Sequence, residues 1–324
     1  MSDNILDISN LNVKILTDNG EVHIVRGVNL TLKRGEIHGI VGESGCGKTV
    51  TAKSVLRLHD ENYVGYSGSI RYNGEVNLLE LNESDMRKYR GRKISYIFQN
   101  PMTSFDNLFT IGEQLSEVIR EHLKLSKKEA YKRAVELLEA VGVTPAEHRA
   151  TQYPYEFSGG MLQRTMIAMA IACDPGVLIA DEATTALDVT MQARILALLK
   201  KLRDDKGLSV LCITHNFGVV AEICDTVTVM YAGTVVESGK VTDIFHNAKH
   251  PYTIELINNI QGVYNTDGEK PEIAFNKWEI SESVTGCAYA ARCPYAQERC
   301  FEKEPGNYSL DESHIVRCHR CMEV

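Results

Sequence analysis

Four short, almost uninterrupted apolar runs punctuate the chain: Glu36–Val41, Val177–Ala180, Val210–Thr214 and Thr226–Tyr231. Each is bounded by turn residues or charges. Runs of that length, apolar on both faces, predict strands buried in a sheet covered from both sides. Between them lie helical patterns. Thr49–Leu58 reads as a helix following the first run. Ser126 with Glu129 forms the sequence of a capping box, and Ala130, Ala134, Leu137, Leu138 and Val141 then recur at helical spacing up to Gly142. Nearer the N-terminus, Leu11–Leu16, His23–Val28 and Ile70–Tyr72 read as strands, with turns at Asp18-Asn19-Gly20 and Asn73-Gly74. Ala232-Gly233 turns the last apolar run into a short hairpin. The pattern predicts an α/β core of mostly parallel strands, interrupted by a helical insertion over about residues 100–165. From Gly262 to Ser283 the chain is polar and weakly patterned, as in a linker. The expected division is a domain over residues 1–261, followed by a linker and a Cys-rich C-terminal domain over residues 262–324.

Composition narrows the field. The chain has 324 residues and a formal net charge of −8. A net acidic balance argues against nucleic acid as a partner, because phosphate neutralisation favours basic surfaces. No run of 18 apolar residues appears, and Met1–Asn10 shows neither a basic start nor an apolar core. The expectation is a cytosolic protein that reaches a membrane only through partners. Of nine cysteines, five crowd between Cys287 and Cys321. In a reducing compartment such a group suggests metal rather than disulfides. Cys46, Cys173, Cys212 and Cys224 are expected in apolar surroundings, and the acidic run Glu80–Asp85 on a solvated face.

The chemistry begins at Gly42-Glu43-Ser44-Gly45-Cys46-Gly47-Lys48-Thr49, which spells G-x-x-x-x-G-K-[ST] between an expected strand and helix. In that setting backbone N–H groups and the helix N-terminus cradle phosphates. Lys48 reaches the β- and γ-phosphates, and the Thr49 hydroxyl suits Mg²⁺. Val177–Ala180 runs into Asp181-Glu182. Phosphate chemistry needs one carboxylate near the metal and one to activate water, and these two fit in that order.

Phe157-Ser158-Gly159-Gly160-Met161-Leu162-Gln163-Arg164 completes the set. Ser158 suits the cap of a helix starting near Met161, and the two glycines allow close approach to a phosphate. With this motif the chain resembles the ATP-binding cassette ATPases over about residues 5–260. The resemblance implies ATP and Mg²⁺ as cofactors, with Gly42, Ser44, Gly45, Cys46, Gly47, Lys48, Thr49 and Val50 around the nucleotide and Asp181 on the Mg²⁺. It makes Glu182 the water-activating base. Gln99 matches the glutamine that senses Mg²⁺ and water, and His215 the histidine that contacts the γ-phosphate. Ala186-Leu187-Asp188 matches a further family loop. Ser158, Gly159 and Gly160 would complete the site of a second subunit, with ATP sandwiched between two chains. Two departures stand out. Ala183 replaces the usual proline, and the adenine-stacking aromatic near the N-terminus is missing, with Asn19 at that offset.

Within the family, Phe98–Ser104, Tyr153–Phe157, Ala183–Thr190 and His250–Thr253 look like the di- and oligopeptide importers, and Met161 with Met166–Ala170 like their D-type subunit. The resemblance implies an F-type partner ATPase, two integral membrane permease subunits and an extracytoplasmic peptide-binding protein. It places the chain peripherally on the cytoplasmic face of the membrane. Cys287, Cys293, Cys300 and Cys318 match the C-terminal cysteine pattern of these importers. Four such thiols can hold a 4Fe–4S cluster or a zinc ion, or stay unmetallated; Cys321 is an alternative ligand. So far along the chain from the phosphate motif, such a cluster is expected to be structural or redox-sensing, and its loss to leave nucleotide binding intact. Two other readings share the motifs: an importer of nickel or another small solute, and a soluble cassette ATPase outside transport.

Overall fold

The computed structural model describes residues 3–184, 188–261, 285–311 and 313–322. Ala186, Leu187 and the expected linker fall outside them. In chain order the strands are β1 (Asn4–Thr17), β2 (Gly20–Lys33), β3 (Ile37–Val41), β4 (Val64–Tyr72), β5 (Val76–Asn77), β6 (Ile94–Ile97), β7 (Val177–Asp181), β8 (Ser209–Thr214), β9 (Thr226–Tyr231), β10 (Thr234–Lys240), β11 (Tyr308–Ser309) and β12 (Ile315–Val316). The helices are α1 (Lys48–Val55), α2 (Glu83–Met86), α3 (Ile111–Leu123), α4 (Lys127–Ala140), α5 (Ala146–Ala150), α6 (Gly159–Ile171), α7 (Val189–Lys206), α8 (Phe217–Ile223), α9 (Val241–Asn247), α10 (Pro251–Gln261) and α11 (Glu298–Glu302). Two compact units result. One comprises Met1–Ile5, Leu32–Ile37 and Glu80–Ile213; the other comprises Leu6–Thr31, His38–Leu79 and Thr214–Val324.

The first unit carries three parallel strands, β6 beside β7 and β7 beside β8, in the register Ile94↔Val177↔Ser209. Every residue of β7 and β8 is buried, as their unbroken apolar runs require. Helices α3 to α6 form the insertion. Ser126 and Glu129 make the expected capping box at α4, and Thr110 with Glu113 makes a second at α3. Ala130, Ala134 and Leu138 are buried along one face of α4. Arg133 reaches back to the Ala172 carbonyl beyond the end of α6. The acidic run ends in the short helix α2, capped by Asn82, with Asp85 paired to Lys88 and Glu83 to Arg90 at its surface, while Glu80 closes a separate 3-10 turn before it.

The second unit holds an antiparallel sheet in the order β2-β1-β4-β5, paired Leu6↔Tyr72 and Ile8↔Ile70. The N-terminal segment, unpatterned in sequence, is the start of β1: Ile5, Leu6 and Ile8 are all buried. In the same unit β3 lies parallel to β9, His38↔Thr226, and β10 hairpins back along β9 through Ala232-Gly233. β12 pairs with β10, Glu237↔Val316, and β11 with β12. The segment from Thr285 onward therefore packs on β10 and α10. Its Tyr289, 2% exposed, joins a core of Val41, Val229, Tyr231, Val236, Tyr252 and Ile257.

Two helix boundaries differ from the sequence pattern. α1 ends at Val55, three residues early, because Arg57 turns left-handed at φ 49° and its side chain pairs with Glu61. α6 begins at Gly159, so both glycines lie inside its first turn. Ser158 is the cap, accepting from the Met161 N–H at 3.3 Å.

Candidate active site

In the second unit, the loop between β3 and α1 is shaped by two glycines. Gly42 has φ 153°, and a Cβ there would stand 2.2 Å from the Met230 carbonyl oxygen. Gly47 caps α1 at φ 99°, which L-residues avoid. Lys48 is 5% exposed and is tied into the loop that it serves. Its ammonium donates to the carbonyls of Gly42 at 2.7 Å and Glu43 at 2.9 Å. Ser44 and Gly45 are exposed at the tip, while Thr49 and Val50 are half-buried on the first turn of α1. Cys46 is buried. Burial holds its thiol above the usual range, against the pull of Lys48, so it serves as a small neutral residue. His215, also in this unit, is exposed where β8 ends; the following Asn216 caps α8, accepting from the Gly218 N–H at 2.8 Å.

In the first unit, the strand end of β7 presents the two carboxylates. Asp181 is 1% exposed and accepts a 2.7 Å hydrogen bond from the Tyr96 hydroxyl on β6. Burial, with the Asp181 charge adding to it, drives the Tyr96 phenol far up, so it stays a donor. Glu182 turns left-handed at φ 50° and its N–H donates to Ile213 O at 2.9 Å. Gln99 Nε2 donates to its Oε2 at 2.7 Å. Gln99 and Glu182, 83 positions apart, are thus brought together. The signature helix α6 is fastened to the same corner: Gln163, 1% exposed, donates to the Ala183 carbonyl at 2.5 Å. Arg164 bonds the Gly160 carbonyl at 3.2 Å and also the Gly142 carbonyl. Tyr96 and Gln163 are contributors that motif reading passed over. Gln163 stands inside the signature, whereas only the packing of β6 on β7 reveals Tyr96.

The tail cysteines occupy the second unit. The Cys287 N–H donates to Cys300 O at 2.7 Å, and Cys287 and Cys293 pack against the apolar core. Burial pushes the Cys287 thiol up to about 11, with the charges of Cys318, Cys300 and Cys293 adding to the shift. Cys321 is likewise pushed up to about 11 by burial, with Cys318 contributing. Among the described residues, however, no three His, Cys, Asp or Glu side chains are disposed to hold a metal ion. The expected 4Fe–4S cluster thus gains no metal geometry from this structure.

A family model described as ABC transporter matches residues 25–185, and one described as oligopeptide/dipeptide transporter, C-terminal region, matches residues 236–300. A peptide ABC transporter ATP-binding protein of Sinorhizobium fredii is 45% identical across 100% of this chain and 97% of its own length. The chain belongs to the ATP-binding subunits of ABC transporters. As such it is an ATPase. A peptide import ATP-binding protein of Brucella abortus is 46% identical over 97% of the chain and 94% of its own length. Among solved ABC structures, a dimeric ATP-binding cassette in a post-hydrolysis state, bound to ADP and Pi, matches with a TM-score of 0.66. It is 27% identical, over 73% of this chain and 98% of that one. The cassette cbiO1 from Clostridium perfringens, part of the ABC transporter complex cbiONQ, matches at 0.63, 26% identical over 80% and 96%. Among the described residues no helix of this ABC subunit is long and apolar enough to cross a membrane.

Proposed function

We propose that this ABC ATPase energises the import of di- or oligopeptides, as one half of an ATP-sandwich dimer seated on membrane permease subunits. The observation that carries the substrate class is the match of residues 236–300 to the oligopeptide/dipeptide transporter C-terminal region. Full-length relatives with peptide in their names support it. In this reading Lys48 and the loop from Gly42 to Val50 bind the ATP phosphates. Asp181 and Thr49, with Gln99, would hold Mg²⁺; a buried carboxylate and a hydroxyl are the hard oxygen donors that this ion takes. The metal would neutralise charge on the phosphates. Glu182, oriented by the Gln99 amide, takes the proton of the attacking water, and His215 contacts the γ-phosphate. Ser158, Gly159 and Gly160 complete the site of the partner ATPase, for which an F-type subunit is the natural candidate.

A partner surface agrees with this role. Phe98, Met102, Leu108 and Phe109 follow β6 and are 40–80% exposed. Large apolar groups left in water beside Gln99 suit contact with a permease on the cytoplasmic face, with a peptide-binding protein on the other side. For the tail, the reading keeps Cys287, Cys293, Cys300 and Cys318 as ligands of a 4Fe–4S cluster. The importer cysteine pattern alone supports it, since the thiols as placed among the described residues form no metal-holding group. Metal analysis after anaerobic purification should give about four irons per chain; an iron-free protein with an intact tail would remove the cluster. The function is tested by reconstituting the chain with its permease subunits and partner ATPase. Binding protein loaded with short peptides should stimulate ATP turnover, and nickel should not. Stimulation by nickel alone would overturn the peptide assignment.

A further inference from the structure

We propose that Arg292, from the C-terminal segment, is a positioning residue of the phosphate-binding loop, and that it acts through Glu43. The proposal rests on the reading of Gly42–Val50 as the ATP phosphate site. Arg292 is 12% exposed in its side chain, and its Nη1 donates to both Glu43 oxygens, at 3.0 and 2.9 Å. Its Nη2 donates to Glu255 Oε1 on α10 at 3.0 Å. Glu43 is the second residue of the phosphate motif, and every part of it is held. Its N–H donates to the Tyr252 hydroxyl at 2.9 Å, and its carbonyl accepts from Lys48 Nζ at 2.9 Å. A path of contacts therefore runs from the tail through Glu43 to the ammonium that faces phosphate.

The grip itself is built on buried structure. Tyr252 and Tyr289 are 0% and 2% exposed, and the rings of Tyr231, Tyr252 and Tyr289 lie 4.7–5.4 Å apart by centroid. The Arg292 and Cys293 N–H groups both donate to the Tyr289 carbonyl at 3.0 Å, and the Tyr289 hydroxyl bonds Glu255. Burial works against the Arg292 charge, but the Glu43 carboxylate outweighs it and keeps the guanidinium protonated. Chemically, Glu43 is an odd residue for a loop that receives a polyanion. An uncompensated carboxylate there would repel phosphate, and Arg292, shared with Glu255, offsets much of that charge. The tail then does two things at the ATP site: it fixes the backbone that carries Lys48, and it offsets the one carboxylate in the motif. Since Arg292 directly precedes Cys293, whatever orders the cysteine segment also sets this contact.

The test is ATP binding by the full chain, measured with a fluorescent ATP analogue, and KM and kcat in the assembled transporter. Arg292→Ala should weaken ATP affinity about tenfold, one unit-charge interaction at intermediate dielectric, with KM raised and kcat little changed. Arg292→Lys, which keeps the charge but cannot hold Glu43 and Glu255 together, should recover only part of the lost affinity. The deciding variant is Glu43→Gln in the Arg292→Ala background. Removing the stranded carboxylate should return most of the lost affinity, which a merely structural role would not do. Should Arg292→Ala misfold, Tyr252→Phe, which deletes only the acceptor of the Glu43 N–H, should still weaken affinity about threefold. Lys48→Ala separates the two claims. Lost binding in Lys48→Ala, with wild-type affinity in Arg292→Ala and Tyr252→Phe, would overturn the positioning role. Unchanged binding in Lys48→Ala would instead overturn the phosphate-site reading.

Discussion

Glu237→Gln should loosen the C-terminal segment without disturbing the first unit. Glu237 is fully buried on β10 and accepts three hydrogen bonds: from the Lys249 N–H at 2.8 Å and His314 Nε2 at 2.8 Å on Oε1, and from the His250 N–H at 3.0 Å on Oε2. It thereby ties the start of α10 and the approach to β12 onto one strand. A glutamine oxygen placed at Oε1 keeps two donors, but its NH₂ then faces the His250 N–H. The His250 N–H and the new NH₂ are then both buried donors without an acceptor, about 1–3 kcal/mol each, and the other two bonds lose their charge assistance, about 0.5–1 kcal/mol each. Relief of the buried carboxylate's desolvation offsets part of this, leaving about 2–4 kcal/mol. Opening of the tail becomes about 30- to 1,000-fold more frequent. Trypsin cleavage at Arg299, Lys303 and Arg317, followed under conditions where opening precedes cleavage, reads that ratio directly. ATP affinity should fall with it, because Arg292 leaves with the segment. A cleavage rate within threefold of wild type would refute the reasoning.

Two further outcomes follow from buried groups. His38, bonded to the Thr226 and Thr228 hydroxyls, and His250 are both pushed down to about 4 by burial. Each is neutral when folded and takes a proton near pH 6.5 when unfolded. Their contribution is therefore full above about pH 6.5 and is lost as pH falls toward 4, about 2 kcal/mol each by pH 5; urea midpoints equal at pH 7.5 and 5.0 would contradict this. Tyr96→Phe keeps the ring against Phe98, 4.8 Å away by centroid, but removes the donor to Asp181. It should cost about 1.5–3 kcal/mol in urea unfolding and raise the Mg²⁺ requirement for turnover, whereas an unchanged midpoint would dismiss the bond.

What the sequence made legible is local. The phosphate loop, the buried strands Val177–Asp181 and Thr226–Tyr231 and the capping box at Ser126 each depend on neighbours in the chain, and each lies where the pattern puts it. The Asp181-Glu182 pair was visible, but the left-handed turn at Glu182 that lets it meet Gln99 was not. The start of β1 is silent in the sequence because Ile5 and Leu6 are adjacent and only Asp7 separates Leu6 from Ile8, so the short apolar stretch near the chain end forms no clear period. Contacts between distant segments were silent. Arg292 meets Glu43 across 249 positions and Tyr252 meets it across 209, and nothing in either local sequence marks the partner. The tail consequently read as remote from the phosphate motif, whereas its guanidinium rests on that motif's carboxylate.

Single-turnover ATP hydrolysis by Glu182→Gln in the assembled transporter tests the proposal that Glu182 activates water. Glutamine can still accept from the Gln99 amide, so the 2.7 Å contact has a substitute and ATP should bind as before. Without a base, hydrolysis should fall by about 10²–10⁴. Hydrolysis within tenfold of wild type, with ATP bound normally, would contradict the role of Glu182 and the mechanism built on it.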